Sequence, residues 1–136
     1  DEAEYEDNDR LAKEVADRLL RQHPDIRGIY AVNSPGAIGA GLSLKQHPLP
    51  SPPILMGYDV TKQLGELLKD KICTCILYQN PFAQAYYSLT LMSEFLLQGT
   101  LPGKKHLLIQ PRIVLKENVD AYYFDPSKPT SNPFLL

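Results

Sequence analysis

Three short apolar runs recur along the chain, and each leads at once into a segment of helical periodicity. IRGIYAV spans 26–32, ILMGY 54–58 and ICTCILY 72–78. The segments that follow are NSPGAIGAGLSLKQH at 33–47, VTKQLGELLKDK at 60–71 and NPFAQAYYSLTLMSEFLLQG at 80–99. An amphipathic helix precedes the first run. Leu11, Val15, Leu19 and Leu20 recur at helical spacing after an acidic start in which Asp7 and Asp9 can cap, and HPD at 23–25 ends it. Short apolar strands alternating with helices predict an α/β fold, an open parallel sheet with helices on both faces. The later stretch HLLIQPRIVLK, 106–116, reads as extended, and the proline-rich FDPSKPTSNPFLL after it as irregular.

At 136 residues the chain is about one domain long. A net charge of −2 gives no electrostatic reason to bind nucleic acid or an anionic membrane surface. No apolar stretch approaches the roughly 18 residues of a membrane span, so no membrane contact by this chain is expected. Cys73 and Cys75 flank Thr74 and read as small buried hydrophobes. The histidines at 23, 47 and 106 are scattered, so no metal site and no cofactor is expected. Unpaired thiols favour a reducing compartment, which points to the cytoplasm.

Where each run stops, a polar residue follows: Asn33, Asp59 and Gln79. In an open parallel sheet ligands bind beyond the carboxyl ends of the strands, so these three are expected along one edge. Two amides and a carboxylate supply mixed donors and acceptors, a set suited to a neutral polyhydroxylated ligand. Tyr58, beside Asp59, adds an aromatic face for the apolar side of a sugar ring. The competing reading is helix capping, which fits Asn33 and Asp59 well and Gln79 poorly. Catalytic motifs are wanting: there is no nucleophile elbow, phosphate-binding glycine loop or close acid–base pair. GAIGAG at 36–41 lies inside a helix without dinucleotide-binding spacing, and close packing explains its glycines.

HPDIRGIYAVNSPGAIGAG, ILMGYDVTKQLGELLKDKICTCILYQNPFAQAYYSLTLMSEFLLQG and IVLKENV together resemble type 1 periplasmic sugar-binding proteins, and equally the effector domains of lactose-repressor-type transcription regulators. The resemblance covers roughly residues 10–120. It implies two α/β lobes that close over a sugar, with Asn33, Tyr58, Asp59 and Gln79 at ligand-contacting positions. Ser34 stands where the family often has aspartate, and Ala85 where glycine is usual. The resemblance divides the chain into part of a C-terminal lobe (1–79), a crossover helix and extended segment (80–116) and a tail (117–136).

It also implies a chain about half the family's length. Sugar binding by this part alone is then weak or absent, and the apolar helix at 80–99 (Phe82, Tyr86, Leu89, Phe95, Leu96) is left to find a partner, a second copy giving a homodimer. The leading expectation is a regulator's effector domain in the cytoplasm, not an enzyme, touching DNA only through a domain outside this chain. One alternative is the sugar-binding component of an ABC transporter, periplasmic or lipid-anchored outside the cell. The other is a small α/β enzyme or receiver-like domain using Asp59.

Overall fold

The structure is a computed structural model and describes residues 8–101, 103 and 106–122, together with 4 and 6. Asp7 and the proline-rich stretch from 124 onward lie outside these residues. Along the chain run α1 (Asp9–Gln22), β1 (Gly28–Tyr30), α2 (Ser34–Gln46), β2 (Ile54–Tyr58), α3 (Lys62–Lys69), β3 (Cys75–Tyr78), α4 (Pro81–Gln98), β4 (Arg112–Val114) and a 3-10 turn at Val119–Tyr122. The fold class is the expected one, an open α/β sheet layered with helices. The described residues divide into two compact units, one holding residues up to 78 with 113–122, the other residues 79–112.

In the first unit the strands stand in the order β1-β2-β3-β4. β1 pairs β2 and β2 pairs β3 in parallel, with Tyr30 opposite Met56 and Tyr58 opposite Leu77. Strand alternation sends Leu55, Gly57 and Ile76 to one face, where Leu55 and Ile76 are wholly buried. Leu64, Leu67 and Leu68 of α3 and Ala37, Ile38, Ala40 and Leu44 of α2 complete that core, joined by Val114 and Val119. A methyl added at Gly57 would stand 2.5 Å from the Ala37 Cβ, so α2 lies almost on the strand backbone.

The glycines of α2 serve two contacts. At Gly39 an added Cβ would meet the Ala12 Cβ and the Lys13 backbone nitrogen, each at 2.6 Å. The expected close packing on the sheet thus falls at Ala37 and Gly57, while Gly39 serves the crossing with α1. The buried Ser43 hydroxyl donates to the Asp17 carboxylate across the same crossing, and Lys13 Nζ donates to it at 2.8 Å.

Several boundaries differ from the sequence reading, each for a local hydrogen-bonding reason. Asn8 rather than an aspartate caps α1, its Oδ1 accepting from the Arg10 and Leu11 N–H groups at 3.0 and 3.1 Å. β3 begins at Cys75, not Ile72, because the Ile72 and Cys73 N–H groups both bond back to the Leu67 carbonyl. Within 106–116 only Arg112–Val114 is strand. Pro111 immediately before it has no N–H to give a ladder.

In the second unit, α4 opens at Asn80, whose φ is +54° and whose side chain accepts from the Ala83 N–H. Pro81 occupies its first position, where the missing donor costs nothing. Gly99, at φ +67°, closes it with an N–H bonded to the Phe95 carbonyl at 2.9 Å. No residue of α4 is buried.

Candidate functional site

Asn33 and Asp59 follow the carboxyl ends of adjacent parallel strands. Continuing the β1–β2 register from Tyr30–Met56 brings residue 33 level with residue 59. The ladder runs on past β1, because the Ala31 N–H donates to the Met56 carbonyl at 2.9 Å. On the other side the Asp59 N–H donates to the Leu77 carbonyl at 3.0 Å, tying the tip of β2 to β3.

The two residues differ in what their side chains do for the fold. Asn33 caps α2: its Oδ1 accepts from the Gly36 N–H at 3.0 Å. Asp59 does not cap α3. Thr61 does, its hydroxyl accepting from the Leu64 N–H at 3.1 Å. Asp59 instead adopts φ +61°, the left-handed region that side-chain-bearing residues occupy at a cost and aspartate tolerates better than most. Backbone strain of this kind persists where the surrounding structure over-determines it, and it concentrates at ligand sites.

Tyr58 ends β2 and shares a face with Met56 and Ile54. Its hydroxyl lies 2.8 Å from that of Tyr30 on β1. The rings meet edge-on with centroids 5.9 Å apart, the diagonal neighbour relation expected two residues apart on adjacent strands. The hydrogen bond with Tyr58 raises the Tyr30 phenol above its ordinary range. Sequence reasoning did not single out Tyr30. The signal was available in its parity with the end of β1, the same parity that Tyr58 has in β2.

Gln79 stands one residue beyond β3, is exposed and begins the second unit. Its carbonyl accepts from the Gln84 Nε2 at 2.8 Å, and the neighbouring Asn80, not Gln79, caps α4. Asn33, Tyr58 and Asp59 therefore belong to one compact unit and Gln79 opens the other.

Two concave spaces of the first unit lie elsewhere. One of about 400 Å³ sits where α1 and α2 end, lined by Asp17, Arg21, Gln46, His47 and Leu49 among others. Another, of about 220 Å³, adjoins Lys71, Cys73, Thr74 and Lys116. Both lie toward the amino ends of the strands, since Leu49 leads into β2 and Thr74 into β3. The Asp17 carboxyl is held below the usual range by its bonds from Lys13 and then Ser43, a role within the helix crossing.

Both cysteines are free and buried. Burial pushes the Cys73 thiol up to about 12 and raises Cys75 as well. Among the described residues no group of His, Cys, Asp and Glu is placed to hold a metal, and no helix is long and apolar enough to cross a membrane.

Comparison with solved structures places this architecture. A sugar-binding protein of a sugar ABC transporter from Bacillus halodurans superposes with a TM-score of 0.76 at 24% identity, over 88% of this chain and 44% of its own. An arabinose-binding protein from Geobacillus stearothermophilus gives 0.74 at 24% identity, over 87% and 43%. An ABC transporter solute-binding protein from Agrobacterium vitis with bound D-fucose gives 0.78 at 22%, over 88% and 41%. At these identities the likeness is one of fold, and the chain spans less than half the length of each of these structures. No curated protein matches the sequence. The sequence profile described as the periplasmic binding protein domain matches residues 1–100, and the chain belongs to that family.

Proposed function

We propose that this chain is part of the sugar-binding component of an ABC transporter, with Asn33, Tyr58, Asp59 and Gln79 as its share of the ligand site. The observation that carries the reading is Asp59: a carboxylate residue in a left-handed conformation beyond the carboxyl end of a central parallel strand, with the neighbouring helix capped by Thr61 instead. A carboxylate there accepts hydrogen bonds from sugar hydroxyls, and an amide at Asn33 both donates and accepts. The fold likeness is to transport proteins, including ones that bind arabinose and D-fucose. That favours the transport branch over the regulator branch, and with it a location outside the cytoplasmic membrane and no role for DNA. The thiols weigh little against this location, because both are buried with their ionisation pushed up, and such thiols are inert in either compartment. Family membership also favours a binding over an enzymatic use of Asp59.

The mechanism is reversible clamping. A sugar that binds the closed arrangement of two lobes better than the open one shifts the population towards closure, by as much as its affinities for the two differ. The test is a panel of aldopentoses and aldohexoses titrated against the protein, with amide NMR shifts as the readout. Saturable shifts at residues 33 and 59, lost in Asp59→Asn, support the reading. Shifts without saturation across the whole panel, in a chain extended to the length of its solved relatives, would sink it.

A further inference from the structure

Two phenol hydroxyls meet across β1 and β2, at the end of the strands where the proposed sugar contacts lie. The Tyr30 and Tyr58 hydroxyl oxygens are 2.8 Å apart, and either can donate to the other. The rings meet edge-on, with 75° between their planes. Tyr30 is level with Met56 in the ladder, so it stands two residues short of Tyr58, and Tyr58 is the one that adjoins Asp59. Among the described residues neither tyrosine belongs to the hydrophobic core or to the side chains packed against it, and Tyr30 is 58% exposed. Ring packing between the strands asks only for an aromatic residue at position 30. The hydroxyl does something further. A hydrogen bond this exposed adds little to stability, because water replaces it readily. What it sets is direction: a tyrosine side chain has staggered wells about its first torsion, and a tie at the far end of the ring selects among them.

We infer that Tyr30 is a positioning residue of the sugar site: its hydroxyl holds the Tyr58 ring in the orientation that packs on a sugar, without touching the sugar itself. The inference rests on the sugar-binding reading and adds to it a residue one step behind the rim. A side chain that must be immobilised on binding lowers affinity, and one already held in place does not. The difference for one such side chain corresponds to roughly two- to tenfold in Kd. The two hydroxyls act as a unit, so the loss of either one frees the ring.

The experiment has two arms. In the 136-residue chain, three-bond NMR couplings about the Cα–Cβ bond of Tyr58 are expected to report one staggered rotamer. In Tyr30→Phe they are expected to move towards the averaged value, with the urea midpoint unchanged. Averaged couplings in the parent, or no change in the variant, would overturn the inference whatever becomes of sugar binding. The second arm uses a chain extended to the length of its solved relatives and the best-bound sugar of an aldopentose and aldohexose panel. Tyr30→Phe and Tyr58→Phe are each expected to weaken binding two- to tenfold, and the double variant no more than either alone. Undiminished affinity in Tyr30→Phe, or additive losses that mark two independent contacts, would overturn it. Tyr58→Ala is expected to lose more than Tyr58→Phe, because the ring goes with the hydroxyl. Full affinity in Tyr58→Ala beside a loss in Asp59→Asn would end the role of Tyr30 and leave the sugar-binding reading standing, whereas no saturable binding by any sugar would end both.

Discussion

Asp59 is where a single residue carries two separable properties, a backbone conformation and a charge. Its φ of +61° is reachable without strain by glycine, tolerable for asparagine and costly for a β-branched residue. Asp59→Asn is therefore expected to leave stability within about 0.5 kcal/mol, a typical surface change, while removing the charge and one of the two acceptor oxygens that the proposed sugar contact uses. Asp59→Val is expected to destabilise by about 1–3 kcal/mol, the cost of forcing such a residue into a sparse region. Urea unfolding separates the two. Equal losses would mean that charge rather than conformation holds the strand tip.

Asp17 gives a pH signature of known sign. Its carboxyl titrates below the ordinary range when folded, so its contribution is present above the unfolded value near 3.9 and is lost as pH falls through the folded value. Urea midpoints are expected to fall below about pH 5 less steeply in Asp17→Asn than in the parent. The cysteines behave oppositely. The Cys73 thiol, raised to about 12, contributes stability below the unfolded thiol value near 8.5 and loses it as pH climbs towards 12. At pH 8 an aromatic disulfide reagent is expected to find neither thiol until the chain unfolds. Burial of the cysteines was legible in their apolar surroundings. The strain at Asp59 was not, because a backbone angle leaves no trace in composition or periodicity.

At the scale of elements, the sequence pattern located the four described α-helices and the three paired strands, though not the 3-10 turn at Val119–Tyr122, because apolar runs and 3.6-residue spacing report burial directly. It misread where turns absorb a residue or two. Asp59 stood in a good capping position, yet the chain turns through it and starts α3 from Thr61; a choice between two oxygen-bearing residues two apart depends on turn geometry. The glycines of α2 are a similar case. Their packing role was readable, but the neighbour each one meets was not. At Gly39 the obstruction is the α1 backbone itself, which cannot swing aside as the Leu67 side chain can at Gly41. Gly39→Ala is therefore expected to destabilise by about 1–3 kcal/mol, the range for overpacking. Gly28→Ala, whose added Cβ would meet the Ile54 carbonyl oxygen at 3.8 Å, should stay within about 0.5 kcal/mol. Chemical denaturation of both decides whether the helix crossing is as tight as its geometry.

For the molecule as a whole, the decisive quantity is how much of a ligand this chain can enclose. Sites for small molecules bury 70–90% or more of the ligand, whereas the residues gathered at the tips of β1 and β2 form one rim. Two concave spaces of the first unit lie toward the opposite ends of the strands. Each tenfold in affinity corresponds to about 1.4 kcal/mol. The few hydrogen bonds an open rim can make, each worth about 0.5–1.5 kcal/mol net, must also offset the freedom lost on binding. The 136-residue chain is therefore expected to hold a pentose or hexose no more tightly than about 1 mM. A chain extended to the length of its solved relatives, with a second rim facing the first, should bind at least 100-fold tighter. Titration calorimetry of both forms checks this. Micromolar binding by the short chain would mean that closure of two lobes is not what gives this family member its grip.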